Sequence, residues 1–308
     1  MSGPEQNKDR AWGEYWADQA RRGGKGTGCL PEAMHSIAHA QQACWRGFAD
    51  ALPQNADVLD LATGNGILLH WLKAMRPDLS LTGIDLAPQL PPPPAGCRTM
   101  PSTRMENIPL GDASFDAIVS QFGFEYSDVA ATIGEITRLL RDGGTVGLLL
   151  HRGDGPILEH NIARREAIRW VLEEQSLFEA LRSRMDEGDE GRARAIEHAE
   201  SVARQGAHIF GQQSPAWEIS EAARQTLALG AKDSAGGIAR TFDIIAQRAG
   251  EEMDRLGDLE DACATADDRA ALLTLFADAG FDAGETRAIS AGPDERPFAD
   301  FLPFCKTR

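Results

Sequence analysis

Three features of the sequence predict an α/β fold built on a parallel sheet. Between Asp57 and about His151, short apolar strands alternate with helical stretches, the texture of strands joined by crossover helices. The first of these strands runs into glycines and then a helical pattern, VLDLATGNGILL over 58–69, which is how a ligand-binding strand-to-helix turn begins. A chain of 308 residues with 42% hydrophobic content can also bury a full core, as one elaborated domain or as two.

The elements follow in order. The first fifty residues read as a helical cap broken by glycine. Trp12, Tyr15 and Trp16 stand at i, i+3 and i+4 and share a helix face. RRGGKGTG, over 21–28, resembles a phosphate loop only at first sight. Lys25 is followed by Gly26, not by Ser or Thr, and no strand precedes it, so it reads as a loop between helices. A second helix is expected from Pro31 to about Ala51. The core, 51–155, holds strands at 58–61, 81–85, 115–120 and 145–150 and helices at 67–75 and 129–140. The run Pro91–Pro94 belongs in neither helix interior nor central strand and predicts a stiff loop. From 156 to 265 the strand pattern stops and several helices are expected. Ser214-Pro215 marks the start of one of them. Residues 266–308 return to a final helix and strands, so the helical block reads as an insertion before the last two strands.

The glycines narrow the ligand. Phosphate, dinucleotide and another nucleoside-bearing cofactor are the candidates. Gly64 and Gly66 supply two glycines of a dinucleotide fingerprint, but Leu69 stands where the third would be, and no Gly-Lys-Ser/Thr follows. Asp85 ends the second strand about 25 residues after Asp60, the spacing of a ribose-binding acid. A nucleoside without a phosphate chain fits this pattern best.

These residues resemble a known family. VLDLATGNG is similar to the first motif of class I S-adenosylmethionine-dependent methyltransferases, with Ala62 in place of its first glycine. TGIDLAP resembles the acidic end of strand two. MENIPLGDASFDAIVSQFGF resembles the stretch that flanks adenine and enters strand four. EITRLLRDGGTVGLLL resembles the segment leading into strand five, with Asp142 where proline is usual. Within the superfamily the chain is similar to enzymes that methylate quinones and other small molecules. The resemblance covers about 50–151 and, more weakly, 266–308. It implies a Rossmann-like seven-stranded methyltransferase sheet and S-adenosyl-L-methionine as cofactor. It implies that Asp60, Ala62, Thr63, Gly64, Asn65 and Gly66 line the methionine end. Asp85 would hold the ribose hydroxyls, with Leu86 against the adenine and Met105 and Glu106 at its edge. Gln121 would sit near the cofactor's amino group, and Tyr15, with the other N-terminal aromatics, near the methionine part. This chain carries Arg104 where many relatives have Asp.

The acceptor chemistry is less constrained. Transfer to O, N or C needs orientation and exclusion of water, and a base helps when a hydroxyl accepts. Glu125, after QFGF, and His151, at the end of strand five, are the catalytic candidates, and each also fits the role of a polar cap on a strand end. The 156–265 block is expected to act as a lid over a small, partly apolar acceptor. A protein or RNA methyltransferase, or a silent cofactor-binding subunit, are the alternatives. Leu69 and the Gly143-Gly144 turn argue against a nicotinamide oxidoreductase. The formal net charge of −16 repels phosphate backbones, so no nucleic-acid partner is expected. No apolar run reaches the roughly 18 residues of a membrane span, no signal-peptide core is present at the N-terminus, and the five scattered cysteines suggest neither disulfides nor a metal site. The cytoplasm is the expected location. A homodimer is compatible with the sequence, which leaves the oligomeric state open.

Overall fold

The computed structural model describes residues 35–230 and 235–307. Trp12, Tyr15, Trp16 and the 21–28 stretch lie outside the described residues. The chain divides into two compact units: Glu159–Gly257, and the residues on either side of that segment.

The larger unit is an α/β sheet domain. Helix α1 (His35–Asp50) precedes strand β1 (Asp57–Leu61), helix α2 (Ile67–Met75) and strand β2 (Ser80–Ile84). Strand β3 (Cys97–Met100), not foreseen from the sequence, follows the Pro91–Pro94 loop and pairs in parallel with β2. Strand β4 (Phe115–Gln121) leads through a 3-10 turn (Phe124–Tyr126) to helix α3 (Val129–Leu139), then to strand β5 (Leu140–His151). Asp128 caps α3 by accepting from the Ala131 N–H. β1 lies between β2 and β4, and β4 pairs with β5, all in parallel. Such strands are covered on both faces, which is why GLLL is a continuous apolar run and VLDL is apolar but for Asp60.

Among the described residues the sheet has eight strands in place of the expected seven, and three follow the helical block in place of two. β6 (Phe281–Ala283) and β7 (Arg287–Ile289) both pair antiparallel with β8 (Ala299–Lys306), which itself pairs antiparallel with β5. They are two pieces of one interrupted edge. The break is at Pro303: its carbonyl accepts from the Gly284 N–H at 2.8 Å, but proline has no N–H to return.

One face of the sheet packs against α3 and the helix near the C-terminus, with Leu59, Ile118, Ile136, Leu148, Leu272 and Phe276 in one continuous core. α1 covers the other face. Phe48 sits over Gly147, where a Cβ would come 2.9 Å from its ring. Trp45 packs edge-on to Phe301 of β8.

The helical unit has its own core, with Trp170, Phe178, Leu181, Val202, Leu227 and Phe242 among its members. It is built from helices α4 (Pro156–Arg169), α5 (Leu177–Met185), α6 (Gly188–Phe210), α7 (Pro215–Leu229) and α8 (Ala235–Asp267); the first and last of these cross its borders. A π-helical turn, Trp170–Glu174, follows α4. Ser214 caps α7 with Pro215 in its first turn, as the sequence predicts. Helix α9 (Arg269–Asp278) returns the chain to the sheet unit. No described helix is long and apolar enough to cross a membrane.

Candidate cofactor and acceptor site

The loop after β1 is shaped by left-handed backbone at three alternate positions: Ala62 (φ 54°), Gly64 (φ 52°) and Gly66 (φ 74°). Glycine meets this at no steric cost, whereas alanine in this region costs roughly 1–2 kcal/mol. The loop is held by main-chain bonds. The Thr63 N–H donates to the Ile84 carbonyl, and the Gly66 N–H to the Thr63 carbonyl, each at 2.8 Å. The Asn65 carboxamide accepts from the Ile67 N–H at 3.2 Å and so stays at the head of α2.

Two glycines outside the motif make room for this loop, and neither is flagged by the sequence pattern. A Cβ on Gly83 of β2 would lie 2.6 to 2.8 Å from the Thr63 side chain. A Cβ on Gly123, just past β4, would collide with the Ala62 Cβ. Thr63 is therefore seated on Gly83, where its hydroxyl donates to Asp60 at 2.6 Å.

Asp85 pins the loop from the next strand. One carboxylate oxygen accepts from the Gly64 N–H at 2.8 Å, and the other from the Ala87 N–H at 2.9 Å. Its carboxyl is pushed up by burial, and the N–H groups of Ala87, Gly64 and Leu86 oppose that push. Asp60 is pushed up to about 7, first by burial, with the Thr63 hydroxyl opposing and the Asp85 charge adding. No lysine or arginine pairs with either acid among the described residues. Two buried carboxyls without a cation suit a ligand that brings hydroxyl donors and positive charge.

The acceptors fit a nucleoside with a diol. A carboxylate has about four lone-pair sites, so each Asp85 oxygen keeps one for a hydroxyl. The loop carries no Lys or Arg to grip a phosphate chain. The other residues expected at the cofactor have these surroundings. Leu86 is half-buried beyond β2, and Met105 packs half-buried against the core. Glu106 already accepts from the Asp128 N–H at 3.0 Å. Gln121 accepts from the Trp45 indole N–H at 2.7 Å, which makes Trp45 of α1 a holder of that side chain. Tyr15 lies outside the described residues.

Glu125 and His151, 26 residues apart, meet at the carboxyl ends of β4 and β5. One Glu125 oxygen accepts from the His151 backbone N–H at 2.9 Å and stands 2.9 Å from the ring Nδ1. The other is buried and has no partner among the described residues, a cost of roughly 1–3 kcal/mol for an ordinary buried acceptor. The Phe122 ring stacks on the imidazole with centroids 4.1 Å apart, and Tyr126 lies edge-on at 6.2 Å. Among the described residues, no group of three or more His, Cys, Asp or Glu could hold a metal ion.

Fold and site together have the form of an α/β domain suited to a nucleoside, with the loop after β1 and Asp85 at the carboxyl ends of β1 and β2 and no Lys or Arg in the loop to grip a phosphate chain. Residues 59–148 match the methyltransferase domain family. Over 117 residues the chain is 38% identical to the demethylmenaquinone methyltransferase of Deinococcus radiodurans, covering 34% of this chain and 48% of that one. It is 33% identical over 119 residues to the ubiquinone/menaquinone biosynthesis C-methyltransferase UbiE of Geotalea daltonii, covering 34% and 51%. It is 30% identical over 120 residues to the malonyl-[acyl-carrier protein] O-methyltransferase of Dechloromonas aromatica, covering 38% and 45%. The chain thus spans about half the length of the curated relatives it matches. Over residues 59–148 the chain is thus similar to a methyltransferase domain.

Proposed function

We propose that this chain transfers a methyl group from S-adenosylmethionine to an oxygen, nitrogen or carbon of a small, partly apolar acceptor. The observation that carries the reading is the loop Ala62–Gly66, seated on Gly83 and Gly123 and pinned by Asp85. Asp85 would hold the ribose hydroxyls, with Leu86, Met105 and Glu106 about the adenine. Asp60, the loop and Gln121 would take the methionine end. Two buried acids suit the cofactor's positive charge. When bound, the cofactor supplies an electrophilic methyl group; the protein supplies orientation, a water-poor pocket and, at Glu125 and His151, a place for a proton.

Small, partly apolar acceptors are supported by the names of the demethylmenaquinone and ubiquinone/menaquinone methyltransferases among the relatives. The net charge of −16 supports a reading without nucleic acid. Free thiols at Cys44, Cys97, Cys263 and Cys305 support a reducing, cytoplasmic setting. Light scattering tests the homodimer.

Titration calorimetry with S-adenosylmethionine, S-adenosylhomocysteine and NAD tests the cofactor. Binding of the first two and not the third is expected. NAD binding without the others would overturn the reading.

A further inference from the structure

We propose that His151 is the general base of the transfer and Glu125 its positioning residue, and that the acceptor is a flat aromatic ring bearing a hydroxyl or N–H whose proton leaves during the reaction. This rests on the methyltransferase reading above and adds to it the acceptor class and the division of labour between the two side chains.

The assignment comes from hydrogen-bond logic. The Glu125 oxygen that faces His151 already accepts from that residue's own backbone N–H. A carboxylate only accepts, so the imidazole Nδ1 that stands beside the same oxygen must carry the hydrogen. In the neutral ring the lone pair then lies on Nε2. Glu125 has a fully buried side chain and cannot itself follow a substrate, while the His151 side chain keeps 9% of its surface exposed. A backbone bond and a ring bond to one oxygen fix the imidazole relative to the strand that bears it.

The ring is held from its face as well. Phe122 adopts φ 56°, a conformation rare for a bulky residue, and its N–H donates to the Leu149 carbonyl at 2.8 Å. That strained backbone places its ring on the imidazole. Tyr126 adds an edge. Other charged or titratable groups around the pair are Cys263, whose thiol is pushed up to about 12 by burial and next by the Glu125 charge, and Asp267, which accepts from the Gly153 N–H. Arg152, adjacent in sequence, is tied to Asp154 and Asp300. Among the described residues, no cation pairs with Glu125. Phe122 on its face and Tyr126 at its edge hold the imidazole among aromatic rings, a setting that suits a flat acceptor ring whose proton-bearing atom meets Nε2.

In the step, the proton passes from the acceptor atom to Nε2 and that atom's electron pair forms the bond to the methyl carbon. The carbon–sulfur pair stays on sulfur. The positive charge that began on the sulfonium ends on the imidazolium.

Nitrogen-15 spectroscopy of the isotopically labelled, cofactor-free protein reads the tautomer. A protonated Nδ1 and an unprotonated Nε2 are expected in the wild type at alkaline pH, with a mixture in Glu125→Gln. A wild-type ring protonated on Nε2 instead would overturn the positioning role. Activity is read as release of S-adenosylhomocysteine, with phenol and hydroquinone as probes and N,N-dimethylaniline and thioanisole as controls that have no such proton. His151→Ala should lose roughly 10²–10⁴-fold in kcat on the probes, with partial rescue by added imidazole. Glu125→Gln should lose about 10–100-fold. Both should bind S-adenosylhomocysteine as the wild type does. A wild type that methylates the probes and is insensitive to His151→Ala overturns the base role alone. Turnover of the controls and not the probes overturns the acceptor class. Failure of the wild type to bind S-adenosylhomocysteine overturns the methyltransferase reading itself.

Discussion

At Ala62 and Gly123 the chain has exchanged one constraint for another. The alanine occupies a left-handed position that favours glycine, and its Cβ fills the space that a side chain on residue 123 would need. Gly123→Ala should therefore destabilise the protein by roughly 1–3 kcal/mol, the usual cost of overpacking. Ala62→Gly in the same chain should restore most of it, since it removes the colliding atom and relieves the backbone. Urea unfolding of the two singles and the double measures the coupling; strictly additive effects would show that the two residues do not compete for this space. A second residue-level expectation concerns Asp60. Its carboxyl is pushed from the ordinary 3.8 to about 7 in the folded state, so between those values the native protein binds more protons than the unfolded chain. Stability should then fall as pH rises from about 4 to about 7 and level off above, by an amount on the order of a few kcal/mol. Asp60→Asn should flatten that slope in urea titrations at several pH values. An unchanged slope would remove Asp60 as its source. For Asp85→Ala, cofactor affinity should weaken by about 2–4 kcal/mol, the worth of two charge-assisted bonds that are not fully additive. Calorimetry reads it, and a change of less than about threefold in a folded variant, well under one such bond, would mean that Asp85 does not hold the ribose.

Among the elements, α3 has a task beyond packing. Glu135 and Arg138, one turn apart, face the segment before β4. Glu135 accepts from the Ile108 N–H at 2.7 Å, and Arg138 donates to the carbonyls of Ile108 and Leu110 and to Asp112 and Glu135. The Arg138 hydrogen bond, before its charge, holds the Glu135 carboxyl below its ordinary value. The pair thus ties down the stretch that begins at Met105, on the expected adenine side. Arg138→Leu should cost roughly 2–3 kcal/mol of stability, because two carbonyls lose charged donors, with the partly exposed ion pairs adding little. It should also speed amide exchange between 105 and 112. Protection in that segment equal to wild type would mean that it is held by other contacts.

On the scale of the whole molecule, each unit keeps its own core. The sheet core draws on residues up to Leu150 and from Ala266 on, and the helical core lies between Ala167 and Phe242. Replacing 159–257 by a short linker should leave a sheet unit that still binds S-adenosylhomocysteine, while transfer is lost. Calorimetry and product release on one preparation separate the two outcomes. Full transfer activity without the helical unit would exclude it from handling the acceptor.

Much of this was written in local sequence. Strand and helix periodicity, the two glycines after VLDL and the acid at Asp85 depend on neighbours within a few positions, and short-range sterics dictate them. They were enough for the fold class, for the parallel strands other than β3 and for a nucleoside-type ligand, and the family resemblance then named the cofactor. Glu125 and His151 could be picked out singly, since one follows β4 by a few residues and the other ends β5. Their bond could not, because it joins ends that meet only when β4 and β5 lie in register. The same holds for Gly83 beneath Thr63, Gly123 against Ala62 and Trp45 on Gln121. β3 is short and only partly buried, with no strong pattern to mark it, and the split edge follows from one proline's missing hydrogen opposite Gly284. Sequence determined which backbone shapes form. Tertiary structure decided which side chains share a site, because contacts across a sheet depend on strand order and register, which local periodicity does not encode.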